Sequence, residues 1–149
     1  MVTTVGTTLD VVDMLNDLIQ LDYDAIHAYE AAIGRIDSEE HQRHLAAFKE
    51  DHERHTEELD AVVRELGGKP VNRSIIKHVV TAGKIAFADL IGDKTVLQAL
   101  KTEENDINKA YERMAGRRDL PPEAVPVIQA GFGDERRHRD WLEKTIATS

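Results

Sequence analysis

Apolar residues recur in alternating steps of three and four along four stretches of the chain, the spacing of one face of an α-helix. The first stretch covers about residues 9–36, with the stripe Leu15, Leu18, Asp22, Ala25, Tyr29, Ala32, Ile36. The second covers about 38–66, with Leu45, Phe48, His52, His55, Leu59, Val62 and Leu66. The third covers about 94–115, with Leu97, Leu100, Glu104, Ile107, Tyr111 and Met114. The fourth covers about 122–147, with Ile128, Gly131, Glu135, His138, Leu142 and Thr145. Alternating threes and fours form the seam of helices packed near parallel or antiparallel. An all-α four-helix bundle is therefore expected.

The punctuation between the stripes agrees. Asp37, followed three residues later by Glu40, resembles a capping box at the start of the second helix. Gly67, Gly68 and Pro70 end that helix, and Pro121 with Pro122 opens the fourth. One or two residues join the first pair of helices and a short loop at 116–120 joins the last pair, so each pair should be antiparallel. Residues 67–93 form a longer connection with an apolar segment of its own at 75–91, interrupted by Gly83 and followed by Gly92. A helix of about 16 residues spans roughly 24 Å at about 1.5 Å per residue. That length carries the chain back along the bundle, so the second and third helices should run parallel around one long crossover.

Every stripe is broken near its middle by ionisable residues: Asp22, then His52 and His55, then Glu104, then Glu135 and His138. Carboxylates facing a core without a counter-charge are costly. Two divalent cations shared among them would supply that charge, and a carboxylate and an imidazole at i and i+3 share a helix face. The heights match as well. Asp22 and His52 each lie 15 residues from a first turn centred near residue 37 (37 − 22 and 52 − 37), so an antiparallel hairpin brings them level.

The chain also repeats itself. Asp51, Arg54, His55 and Leu59 align with Asp134, Arg137, His138 and Leu142 at an offset of 83 (134 − 51). Ala28-Tyr29-Glu30 aligns with Ala110-Tyr111-Glu112 at an offset of 82 (110 − 28), and Asp22 and Glu104 share that offset. Two copies of a helix hairpin, each giving half of a dimetal site, explain the repeat.

Composition narrows the chemistry. The 149 residues suit one domain spanning 1–149, and there is no cysteine, so disulfides, thiolate catalysis and zinc-thiolate sites are excluded. The formal net charge of −9 disfavours nucleic acid and anionic membranes as partners. Arg136, Arg137 and Arg139 read as a solvated helix face among acids. Residues 1–8 lack the basic start and apolar run of a signal peptide, and no stretch approaches the roughly 20 apolar residues of a membrane span. A cytoplasmic protein is expected. His27, His41, His44 and His78 form no constellation, and His41 and His44, near a helix start, should be surface residues. Gly131-Phe132-Gly133 lacks the context of a phosphate loop. Trp141 reads as a packing or interface residue.

The segment Asp134-Glu135-Arg136-Arg137-His138-Arg139-Asp140-Trp141-Leu142-Glu143 is similar to the last bundle helix of bacterioferritins. A carboxylate seven residues before a tyrosine (Asp22 and Tyr29, Glu104 and Tyr111) resembles the first and third helices of the ferritin-like superfamily, which includes bacterioferritins and rubrerythrins. The stretch from Leu66-Gly67-Gly68-Lys69-Pro70 through Glu104 to Tyr111 resembles a family of uncharacterised bacterial ferritin-like domains. The resemblance spans nearly the whole chain. It implies a ferritin-like antiparallel bundle holding two metal ions, usually iron and sometimes manganese, that react with oxygen or peroxide. Carried over to this chain, it makes Asp22 and Glu135 carboxylate ligands of the two halves, Glu104 a bridge, and His55 and His138 the imidazole ligands. Asp51 and Asp134 would orient those imidazoles, and Tyr29 and Tyr111 would hydrogen-bond ligating carboxylates. The chain departs from the family twice. His52 stands where the second helix normally has Glu, and the shorter Asp22 stands where the first has Glu. Three carboxylates and three imidazoles carry less negative charge to stabilise oxidised iron, which could shift the metal preference from Fe (Mn or Zn being the alternatives), weaken one of the two positions, or mean a site that has lost its redox role.

Two readings of function follow. The first is a di-iron redox protein, taking O2 or hydrogen peroxide, in iron or oxidative-stress handling. The second is a non-catalytic helical bundle with a vestigial metal site, which His52 favours. A zinc-dependent hydrolase is a third, weaker reading that lacks a general base beyond the ligands. A homodimer or larger homo-oligomer suits the fold.

Overall fold

The computed structural model describes residues 4–71, 87 and 89–149. Four helices make up almost all of it: α1 (Thr4–Ile33), α2 (Glu39–Glu65), α3 (Asp93–Ala115) and α4 (Val125–Ala147). Among the described residues there is no strand. Each helix buries most of the stripe read from the sequence, with Leu66 and Thr145 at the helix ends only partly covered. Leu15, Leu18, Tyr29, Leu45, Leu59, Leu97, Leu100, Ile128 and Leu142 are completely or almost completely hidden from solvent and form one continuous core. Phe87 joins that core, whereas Ile91 is 86% exposed.

Side-chain pairings fix the topology. Lys49 on α2 pairs with Glu30 at 3.2 Å, and Asn16 Nδ2 donates to the Lys69 carbonyl at 3.1 Å, so α1 and α2 run antiparallel. Asp93 meets the loop at Asp37 while Arg117 reaches Asp10, so α1 and α3 run antiparallel too. Lys101 faces Glu143, and His44 stacks on Trp141, which makes α3–α4 and α2–α4 antiparallel. The diagonal pair α2 and α3 is then parallel. The end of α2 and the start of α3 lie at opposite ends of the bundle, about 35 Å apart for a 23-residue helix at roughly 1.5 Å per residue. The expected helix at 75–91 in the connection lies, apart from residues 87 and 89–91, outside the described residues.

The helix ends differ in detail from the sequence reading. The first turn is residues 34–38 rather than one or two residues, and the cap of α2 is Ser38, not Asp37. Ser38 is extended, and its Oγ accepts from the His41 amide at 3.2 Å. Asp37 contributes its own amide instead, which donates to Asp93 Oδ1 at 2.8 Å, and Ser38 N donates to Asp93 Oδ2 at 3.2 Å. One carboxylate from the first turn of α3 thus holds the α1–α2 turn. At the other end of α2, Gly67 (φ 80°) and Gly68 donate back to the Arg64 and Val63 carbonyls at 3.0 and 2.9 Å. That left-handed turn needs glycine at 67. Gly68 is needed for space, since a Cβ there would stand 2.6 Å from Val12 Cγ1. The fourth helix begins at Val125 with Pro126 in its first turn, a few residues beyond Pro122.

Candidate metal centre

The antiparallel registers bring the ionisable residues of all four stripes to one level. Asp22, His52, Glu135 and His138 are 0% exposed, Glu104 is 1% and His55 is 2%. Their ligand atoms form two groups. One joins Asp22, His52, His55 and Glu135; the other joins His52, Glu104, Glu135 and His138. In the first, Asp22 Oδ1 stands 2.8 Å from His52 Nδ1 and 3.2 Å from His55 Nδ1. Glu135 Oε1 stands 3.3 Å from His52 Nδ1 and 3.1 Å from His55 Nδ1, closing a four-sided ring of two oxygens and two nitrogens. In the second, Glu104 Oε1 lies 3.0 Å from His52 Nε2 and 3.3 Å from His138 Nδ1, and His138 Nδ1 lies 3.6 Å from Glu135 Oε2.

These spacings fit a cation. Four ligand atoms arranged tetrahedrally about 2.1 Å from a metal are about 3.4 Å from one another. Buried polar atoms left without hydrogen bonds point the same way. Both oxygens of Glu135, Glu104 Oε2 and His138 Nδ1 are buried and accept or donate no hydrogen bond of good geometry. Such orphans are rare and call for a partner. Either group can therefore hold a metal ion.

The family resemblance gives Glu104 the bridging role. In the structure Glu104 belongs to one group only, whereas Glu135 and His52 belong to both. Glu104 is drawn aside because Tyr29 donates its hydroxyl to Glu104 Oε1. Glu135 meets no such donor and stands between the two groups with one oxygen towards each.

Protons and charge are tightly linked here. Burial works against the charged form of every member. It is outweighed at Asp22 by His52 and His55, and at Glu104 by His138 and His52, so both carboxyls are held below their usual range. Burial and the neighbouring Glu104 push Glu135 up, against the pull of His52. The imidazoles go the other way. Despite burial, Glu135, Asp22 and Glu104 raise His52 well above its ordinary value. Asp22 and Glu135 raise His55 to about 10, and Asp51 with Glu104 and Glu135 raises His138 to about 9. Without a metal, three imidazolium groups would balance three carboxylates.

A second layer orients the histidines and carboxylates of the cluster. His55 Nε2 lies 2.9 Å from Asp134 Oδ2, and His138 Nε2 lies 2.8 Å from Asp51 Oδ2. A carboxylate on Nε2 keeps the proton there and turns Nδ1 inward. Tyr111 donates to Asp22 Oδ2 at 2.6 Å, the counterpart of Tyr29 on Glu104. Tyr111 reaches that oxygen because residue 131 is glycine: a Cβ there would stand 2.5 Å from Tyr111 Cε1.

Three contributors were not assigned to the centre from the sequence. Arg137 Nη2 donates to Asp51 Oδ2 at 2.8 Å and Asp134 Oδ1 at 3.1 Å, and Arg54 donates to the same two carboxylates. Both arginines coincide in the internal repeat, which was the available signal. Buried Asn108 donates to the backbone carbonyls of Glu104 and Glu135 at 2.8 and 3.0 Å, tying α3 to α4 beside the ligands. Of the remaining histidines, His41 and His44 are half-buried rather than exposed, packed on Trp141, which itself packs on Phe48.

Fold and site together define an all-helical four-helix bundle with a buried carboxylate–imidazole cluster at its centre. The family model described as "Domain of unknown function (DUF2383)" matches residues 10–116, and the chain belongs to that family. The match takes in α1, α2 and α3, which carry Asp22, His52, His55 and Glu104. Glu135 and His138 on α4 lie beyond it. No curated protein and no solved structure matches the chain. Among the described residues, no helix is long and apolar enough to cross a membrane.

Proposed function

We propose that this chain is a ferritin-like protein holding two metal ions, iron in the first instance, that reacts with O2 or hydrogen peroxide in iron or oxidative-stress handling. The observation that carries the reading is Glu135: a wholly buried carboxylate with both oxygens free of hydrogen bonds, each aimed at a different set of imidazole nitrogens and carboxylate oxygens. Asp22, His52, His55, Glu104, Glu135 and His138 would hold the ions. Bound Fe(II) would supply electrons to the oxidant. The protein's own part is positional. Asp51 and Asp134 fix the ring orientation of His138 and His55, Tyr111 and Tyr29 each occupy one carboxylate oxygen, and the packed core around the cluster excludes bulk water.

The test is anaerobic loading of the full chain with Fe(II), elemental analysis, and absorbance on admitting air. About two irons per chain and a new near-ultraviolet band are expected on this reading. No bound iron, or binding unchanged in the Glu135→Ala, His138→Ala double variant, would refute it.

One observation favours a second reading, a bundle with a vestigial site. His52 reaches Asp22 at 2.8 Å, Glu104 at 3.0 Å and Glu135 at 3.3 Å, so a protonated imidazole stands where a cation's charge would, and with His55 and His138 it balances the three carboxylates. On this reading the protein binds no iron and is as stable after chelation as before it.

A further inference from the structure

The two groups are nearly related by the internal repeat, and the shared position breaks the relation. Glu135 offers one oxygen to each group, but its counterpart in the repeat, at the 83-residue offset (135 − 52), is His52. A carboxylate can give a lone pair to each of two cations. A neutral imidazole has one lone pair, and its other nitrogen carries hydrogen. His52 therefore completes only one group at a time.

The contacts say which. His52 Nδ1 closes the ring with Asp22 Oδ1 at 2.8 Å and Glu135 Oε1 at 3.3 Å, and His55 Nδ1 completes it. Asp22 is prepared for this, because Tyr111 takes its Oδ2 and leaves Oδ1 to the ring. His52 Nε2 touches Glu104 Oε1 alone, at 3.0 Å. That oxygen already accepts from the Tyr29 hydroxyl, so it behaves towards His52 as an acceptor of an N–H.

We infer that the two metal positions are unequal by construction: a closed one with four protein ligands (Asp22, His52, His55, Glu135) and an open one with three (Glu104, Glu135, His138), the open one being where an exogenous ligand binds. The inference rests on the metal-binding reading above and adds its internal order. The closed position fills first. The second cation meets one ligand fewer and the charge of the first, so it binds more weakly. A four-ligand closed site is the structural kind, and a three-ligand site with a free position is the kind that admits a small molecule. His52 is the residue that decides this division.

The test uses Co(II) under anaerobic conditions on the metal-free full chain, followed by visible absorption and titration calorimetry. The first equivalent is expected to give the intense visible bands of four-coordinate cobalt. The second should bind more weakly by at least the roughly 10–100-fold that loss of a mere outer-shell partner costs. Azide added to the two-cobalt form should perturb only the bands that appeared with the second equivalent. His138→Ala should leave the first equivalent intact and abolish the second, and His52→Glu should bring the two affinities together. Two equal equivalents in the unaltered chain, or loss of the first equivalent in His138→Ala, would overturn the inference while leaving the metal-centre reading standing. No cobalt bound at all would overturn both.

Discussion

Gly131 offers a sharp check on how the centre is packed. It lies in the interior of α4, where glycine costs about 0.8–1 kcal/mol relative to alanine. Gly131→Ala should recover that amount if propensity decides. Packing opposes it. The new Cβ would stand 2.5 Å from Tyr111 Cε1, 3.2 Å from Cδ1 and 3.3 Å from Cζ, against an ordinary contact of 3.4 Å or more. Ring or helix must retreat by about 0.9 Å (3.4 − 2.5). Tyr111 is 1% exposed in a filled core, where overpacking costs about 1–3 kcal/mol. Moving the ring also loosens the hydroxyl from Asp22, a hydrogen bond to a charged group worth about 1.5–3 kcal/mol. Packing wins, and a net loss of about 2 kcal/mol corresponds to a fall in Tm of roughly 4–8 °C for a chain of this size. Gly133 is the internal control: it sits two residues further along the same helix, and a methyl group added there would meet nothing within 4 Å. Gly133→Ala should gain up to about 1 kcal/mol, or roughly 2–4 °C. The assay is thermal unfolding of the two metal-free variants beside the parent, followed by circular dichroism. A Gly131→Ala variant as stable as Gly133→Ala would refute the argument.

Asp51→Asn and Asp134→Asn should each weaken metal binding by about 10–100-fold while leaving the helical spectrum unchanged, measured by titration against a competing chelator. The pH dependence of the metal-free protein follows from His55 at about 10 and His138 at about 9, both raised from 6.5. A raised imidazole pKa stabilises the fold fully below the unfolded value and less as pH climbs through the folded value. Melts from pH 6.5 to 10 should therefore show falling stability, and a flat or rising profile would contradict the charge balance described above. Asp93→Ala removes the acceptor of two backbone amides in the α1–α2 turn and should lower stability by about 1–3 kcal/mol, seen as a lower urea midpoint with unchanged slope.

The helices and the level at which their polar residues meet were legible because both depend on period and count alone. A step of 3.6 residues places Asp22, His52, Glu104 and Glu135 on inward faces, and equal distances from a turn place them at one height. What spacing does not carry is the direction of individual side-chain atoms. The resemblance implies Glu104 as the bridge, whereas the side-chain atoms put Glu135 in both candidate groups and Glu104, which accepts from Tyr29, in one. Arg137 reads as solvated surface and is 54% exposed, but its guanidinium, with that of Arg54, clamps the two aspartates that hold the histidines. The cap of α2 shifted from Asp37 to Ser38 because a carboxylate 55 residues away took over the turn. The contacts that reach from one helix to another, Arg54 to Asp134 and Arg137 to Asp51 among them, depend on packing that no local pattern encodes.

The internal repeat has a consequence for how the centre is assembled. Four contacts to the cluster cross from one hairpin to the other: Tyr29 on α1 to Glu104 on α3, Tyr111 on α3 to Asp22 on α1, His55 on α2 to Asp134 on α4, His138 on α4 to Asp51 on α2. The cluster's outer contacts are therefore complete only when the two hairpins are packed together. The crossing also spreads control. On the division inferred above, the closed position would be tuned from α4 through Asp134 and from α3 through Tyr111, and the open one from α2 through Asp51 and from α1 through Tyr29. Among the six cluster residues two pairs differ across the repeat, Asp22 with Glu104 and His52 with Glu135, while His55 and His138 match. A frame this regular makes each position answer to the same outer contacts, which leaves the shared imidazole at 52 as the largest chemical difference between the two halves of the centre.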